Sequence, residues 1–178
     1  MAWLDTILRW FPALARTRQH HALEHATLHL LAKRFPQQAL AGHSDPAGFW
    51  ILGAVPTEAV EQAVAEALTR LQQGEHHLAL HPGCGTNYLA LGSLAAAAGL
   101  VGFAGTRRWR ERWERFPLVV FLSMLALIFG RPLGFWLQRE VTTDPRVDDV
   151  EIVAVEAARR GRFPAHRVTT RRVPPTTP

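Results

Sequence analysis

Four histidines and a carboxylate fall within one short stretch, His20-His21-Ala22-Leu23-Glu24-His25-Ala26-Thr27-Leu28-His29. Imidazole is the commonest metal ligand among side chains. On an α-helix, residues three and four apart share a face. His21, His25 and His29 step by four, so they drift only about 80° around the axis at roughly 100° per residue. Two histidines so spaced can reach one ion beside the helix. The string His21-x-x-Glu24-His25 also has the form of the inverted zincin motif. In that motif two histidines hold zinc and the glutamate is the general base of a hydrolase. The third ligand of that class is a distant glutamate, and none announces itself here. A solvated histidine face, or one bonded to backbone groups, is the structural alternative.

A second stretch carries ligand chemistry: His81-Pro82-Gly83-Cys84-Gly85-Thr86-Asn87. His-x-x-Cys spacing suits two ligands on one ion. The glycines that flank Cys84 also fit a strained turn with a small buried cysteine. If His21, His25, His81 and Cys84 meet, they form a closed four-ligand set. Closed sets are structural, because catalytic zinc keeps a position open. Imidazole with thiolate favours zinc. His43 and Asp45 are further candidate ligands on a loop.

These residues need elements to position them. The chain has 178 residues, a formal charge of +5 and a single cysteine, which excludes an internal disulfide. Most basic residues are arginines placed beside apolar runs, and no aromatic-basic recognition motif accompanies them. That pattern points to a membrane surface rather than to nucleic acid. No signal peptide is evident at the N-terminus.

Residues 1–11 read as a short apolar helix with Trp3 and Trp10, suited to a membrane interface. The histidine helix follows from Ala13 to Arg34 and ends before Pro36. Residues 37–47 read as a loop and Gly48–Val55 as a strand. Thr57 is placed to cap a helix that ends at Gly74. Glu75–His81 alternates like a strand. Strand, helix and strand over this length imply a parallel pair with a crossover. Thr86 or Asn87 is placed to cap the next helix.

Tyr88–Gly105 is uncharged and long enough to extend about 27 Å as a helix. Its Ala95/Gly99 and Ala98/Gly102 pairs permit close helix packing. A tight loop, Thr106–Arg115, carries five arginines and two tryptophans. Phe116–Leu137 forms a second apolar run, interrupted at Arg131-Pro132. Together these predict a transmembrane hairpin. The positive-inside rule puts the arginine loop in the cytoplasm and both termini outside. β-branched residues at 150–155 and the run 165–173 predict a C-terminal β-hairpin.

With two apolar spans after them, His21-Ala-Leu-Glu-His-Ala-Thr-Leu-His29 and His81-Pro-Gly-Cys-Gly-Thr-Asn87 resemble a family of small bacterial membrane proteins of unknown function. The resemblance covers most of the chain and implies an integral membrane protein. It brings no established activity. Members of that family often carry Asn at the place of Gly83.

The expected fold is α+β: a small mixed sheet with packed helices, interrupted by a two-helix transmembrane hairpin. The expected parts are an N-terminal α/β segment (1–87), the hairpin (88–137), a β-hairpin completing the sheet (138–173) and a disordered tail (174–178). The expected role is non-catalytic binding of zinc by His21, His25, His81 and Cys84 in a multi-pass protein of the bacterial inner membrane. The expected partners are the lipid bilayer and a membrane protein. A zinc-dependent hydrolase with Glu24 as base and a metal-free scaffold are the alternatives.

Overall fold

The computed structural model describes residues 10–173. Of the apolar helix expected over residues 1–11, residues 1–9 lie outside the described residues, as does the tail expected after Val173, while Trp10 and Phe11 precede the first described helix. The chain forms two compact units: residues 1–81 with 139–178, and Pro82–Gln138.

The first unit is built around α1, Pro12–Arg34. Proline at the first helical position costs no hydrogen bond, because that N–H has no intrahelical partner. Pro36 bars the helical conformation at Phe35, whose φ of −127° ends the helix. Lys33 and Arg34 favour the negative end of the helix dipole. α1 is buried on most of its circumference, polar residues included: Leu23, Ala26 and Leu31 are fully buried, and so nearly are His20, Glu24 and His25.

A four-stranded sheet covers one side of α1. Its strands are β1 (Ala41–Asp45), β2 (Gly48–Leu52), β3 (Val150–Arg160) and β4 (Phe163–Arg172). They run in the order β1-β2-β4-β3 and every pair is antiparallel. The sheet is therefore not mixed. β1 lies where a loop was expected, since only Pro46-Ala47 turns: Asp45 opposes Gly48, and Asp45 Oδ1 accepts from Ala47 N at 2.8 Å. Gly48 is required there: its φ is +145°, and a Cβ would meet the Val168 carbonyl. The C-terminal hairpin turns at Gly161, with φ of +64°.

Helix α2, Thr57–Gln72, contributes Val60, Val64 and Leu71 to the core. They meet Phe49, Ile51 and Val168 from the sheet and Leu23 and Leu31 from α1. Pro56 holds the cap position, not Thr57, whose hydroxyl pairs with His166 Nε2 at 3.2 Å.

The expected strand at 75–81 and its parallel crossover are absent. His76–Ala79 is a 3₁₀ turn that packs on α1 through Leu78 and Ala79. Gly74, at φ of +91°, reverses the chain into it. The Ala79 and Leu80 carbonyls accept from imidazoles of α1 instead of from a neighbouring strand.

Residues 139–144 are held to α1 by Arg18, which donates to the carbonyls of Val141 (2.6 Å), Thr143 (3.1 Å) and Glu140 (3.3 Å). In return, the Arg18 carbonyl accepts from Asp144 N.

In the second unit, α3 (Gly85–Gly102) packs on α4 (Trp109–Phe129). Contact is close because the facing residues are small. A Cβ on Gly102 would meet Val119, and one on Gly130 would meet Leu91 and Leu94. Cys84, not Thr86 or Asn87, caps α3: its Sγ accepts from Thr86 N at 3.4 Å. Asn87 is buried instead, between Pro82 O (3.0 Å) and Gln138 Nε2 (2.7 Å). A short helix, α5 (Arg131–Leu137), follows the break at Gly130.

Among the described residues no single helix is long and apolar enough to cross a membrane. The expected arginine loop is helical from Trp109, so α4 begins with two charged turns. α3 begins with polar Thr86 and Asn87. The pair Trp109–Phe129 and Arg131–Thr142, bent by 47°, passes on length and composition.

Replacing Arg18 by Met strands three carbonyl acceptors. We expect a loss of about 2–4 kcal/mol in unfolding free energy. Hydrogen exchange should also accelerate at residues 140–144; unchanged exchange there would rule out this anchoring role.

Candidate metal centre

α1 presents two polar faces to two different surroundings. His20 and Glu24, four apart, face the sheet. His20 Nδ1 donates to the Asp45 carbonyl and its Nε2 pairs with Thr170 Oγ1, each at 2.7 Å. Glu24 Oε2 accepts from Ser44 Oγ at 2.5 Å. A Cβ on Gly42 would overlap the Glu24 carboxyl, so the strand can lie against it only because residue 42 is glycine. Burial pushes the Glu24 carboxyl above its usual range, with Ser44 and His21 opposing.

His21, His25 and His29 face the irregular segments. His21 Nδ1 donates to Thr142 O (3.0 Å), His25 Nδ1 to Ala79 O (2.7 Å) and His29 Nε2 to Leu80 O (2.8 Å). A carbonyl only accepts, so each bond fixes which ring nitrogen carries the proton. In the neutral rings the lone pair then sits on Nε2 of His21 and His25, and on Nδ1 of His29. Metal-bound histidines are oriented in the same way, the second nitrogen donating to a carbonyl or carboxylate.

The rings form a ladder. Centroids are 4.2 Å apart for His21 and His25, 5.6 Å for His25 and His81, and 4.8 Å for His81 and His29. Burial lowers the His25 pKa to about 3, helped by neighbouring His21, His81 and His29. Burial, then His29, lowers that of His81. Neutral imidazoles at pH 7 are what metal binding requires.

His21, His25 and Cys84 are a group that could hold a metal ion. Of the four residues expected to meet, His81 falls outside that group, and its ring lies nearer His29 than His25. His43 is exposed on β1, and Asp45 forms an ion pair with Arg167 at 2.7 Å. Glu24 is bonded to Ser44 and lies against Gly42. Sequence reasoning missed the carbonyls of Thr142, Ala79 and Leu80, because backbone groups carry no signature in the sequence. It also left His29 without a role, although its spacing from His25 signalled one.

A family model described as a domain of unknown function, DUF6391, matches residues 16–155. The matched span includes both histidine-bearing stretches and the apolar hairpin. An uncharacterised protein of Picosynechococcus sp. is 34% identical over 135 residues, which cover 71% of this chain. The chain spans 65% of that relative's length. No solved structure matches.

The buried imidazoles make a pH prediction for the metal-free protein. Unfolded His25 takes up a proton near pH 6.5 and folded His25 only near 3. Between these values the unfolded state binds more protons, so stability falls as pH drops from 6.5 toward 3. One proton contributes up to about 1.4 kcal/mol per pH unit. The lowered pKa of His20 adds to the fall. Denaturant midpoints measured from pH 7 to 5 should decline, and less steeply in His25→Gln. A flat wild-type profile would refute burial of neutral imidazoles.

Proposed function

The chain belongs to the DUF6391 family, and we propose that it is a membrane-anchored, non-catalytic metal-binding protein. His21, His25 and Cys84 bind the ion, and zinc suits their nitrogen and sulfur donors. The observation that carries this reading is the pair of backbone carbonyls, Thr142 O and Ala79 O, that fix the His21 and His25 tautomers. Both rings thereby carry their lone pairs on Nε2, the second nitrogen being held by a carbonyl as in metal-bound histidines. Glu24 serves the fold, bonded to Ser44 beneath β1.

Elemental mass spectrometry of the purified protein tests this. We expect close to one tightly held equivalent of zinc in the wild type and less than a tenth of that in His21→Ala/His25→Ala. Glu24→Gln should retain the metal. A folded wild type without metal, even after incubation with zinc, would refute the reading.

The membrane part of the proposal rests on the second unit. α4 buries no residue, and Leu118, Phe121, Met124, Leu127, Ile128 and Phe129 are exposed along it. Bare apolar surface on this scale is unfavourable in water and favourable in lipid. Trp109, Trp113 and the arginines around them lie at one end of that surface, where an aromatic and cationic belt suits headgroups. The inner membrane of a bacterium is the setting this implies. The protein should stay in the membrane pellet after alkaline carbonate extraction. Recovery of the folded wild type in the carbonate-soluble fraction would refute insertion.

A further inference from the structure

Resting on the metal-binding reading, we propose a second, outer metal position formed by His29 and His81. The ring ladder does not end at the inner set. His81 lies beyond His25, and its centroid is 4.8 Å from that of His29, with the ring planes inclined by 57°. Two imidazoles on one zinc ion, with bonds near 2 Å, place their ring centroids roughly 5 Å apart. The His29–His81 spacing is close to that value.

The tautomer is suitable as well. The Leu80 carbonyl accepts from His29 Nε2 at 2.8 Å, which leaves the lone pair of the neutral ring on Nδ1. The same backbone segment therefore orients both levels of the ladder, Ala79 for His25 and Leu80 for His29.

Accessibility distinguishes the two positions. Two of the three inner ligands, His25 and Cys84, are 2% and 5% exposed, whereas His29 and His81, like His21, are only half-buried. The preceding turn also exposes His76 and His77. An ion arriving from solvent meets the outer pair first. With two protein ligands and water completing its shell, the outer position binds more weakly than a three-ligand set with a thiolate. It exchanges faster and is suited to loading the inner site.

Cobalt(II) titration of the full chain in detergent tests the proposal, with calorimetry for stoichiometry and absorption for ligand type. The wild type should bind two equivalents, a tight one with sulfur-to-metal charge transfer and a weaker one without it. His29→Gln keeps an amide donor for the Leu80 carbonyl but removes the imidazole. It should keep the tight event and weaken the second at least tenfold. His21→Ala/His25→Ala should lose the tight event and keep the weak one. A single tight event in the wild type would overturn the outer position and leave the metal-binding reading intact. Two events unaltered in His29→Gln would also overturn it, because the second ion would then sit elsewhere. No binding in a folded wild type would overturn both.

Discussion

Buried backbone carbonyls must find donors, and in this protein α1 supplies them from its side chains. The 3₁₀ turn at His76–Ala79 and the π-helical turn Gln138–Thr142 with the residues after it have no ladder of their own against α1. Their carbonyls at Ala79, Leu80, Thr142, Val141 and Thr143 are met by His25, His29, His21 and Arg18. An unmet carbonyl at each place would cost on the order of 1–3 kcal/mol. Those donations also immobilise the imidazoles. The bonds that satisfy these carbonyls therefore also orient imidazoles of the group that could hold a metal ion.

The opposite polar face follows the same logic with a different partner. His20 and Glu24 engage Asp45, Ser44 and Thr170, so the sheet is keyed to α1 by polar contacts as well as by Phe49 and Ile51. This placement gives the glutamate of the His-x-x-Glu-His string a bond to Ser44. The residue before His25 turns toward β1, where Gly42 leaves room for its carboxyl.

Helices were the most legible part of the fold. Pro12, Pro36 and the three-to-four spacing of Leu23, Ala26 and Leu30 delimit α1, and the β-branched residues near 150 mark β3. The sheet was less legible. Alternation at Glu75–His81 suggested a strand, yet imidazoles captured its carbonyls. Turn residues at Gly42–Pro46 suggested a loop, yet the turn needs only two of them. The site was legible in part. Fourfold spacing brought out His21 and His25, and the glycine-flanked turn brought out Cys84. His29 was undervalued because its partner arrives from a segment more than fifty positions later. The charged start of α4 was read as a loop because composition outweighed helix propensity, although Arg and Glu are good helix formers.

The strand order carries a consequence for how the molecule is made. β4, the last of the described strands, lies between β2 and β3 in the sheet, and its Thr169 pairs with Gly48. During synthesis β1 and β2 wait as an isolated hairpin while the whole Pro82–Gln138 unit emerges. Two-stranded hairpins are marginal in water, and pairing across such a sequence separation is slow. The apolar helices are therefore completed before the sheet closes. Closure joins the earliest and the latest segments across one ladder, so the order of assembly is written into the topology.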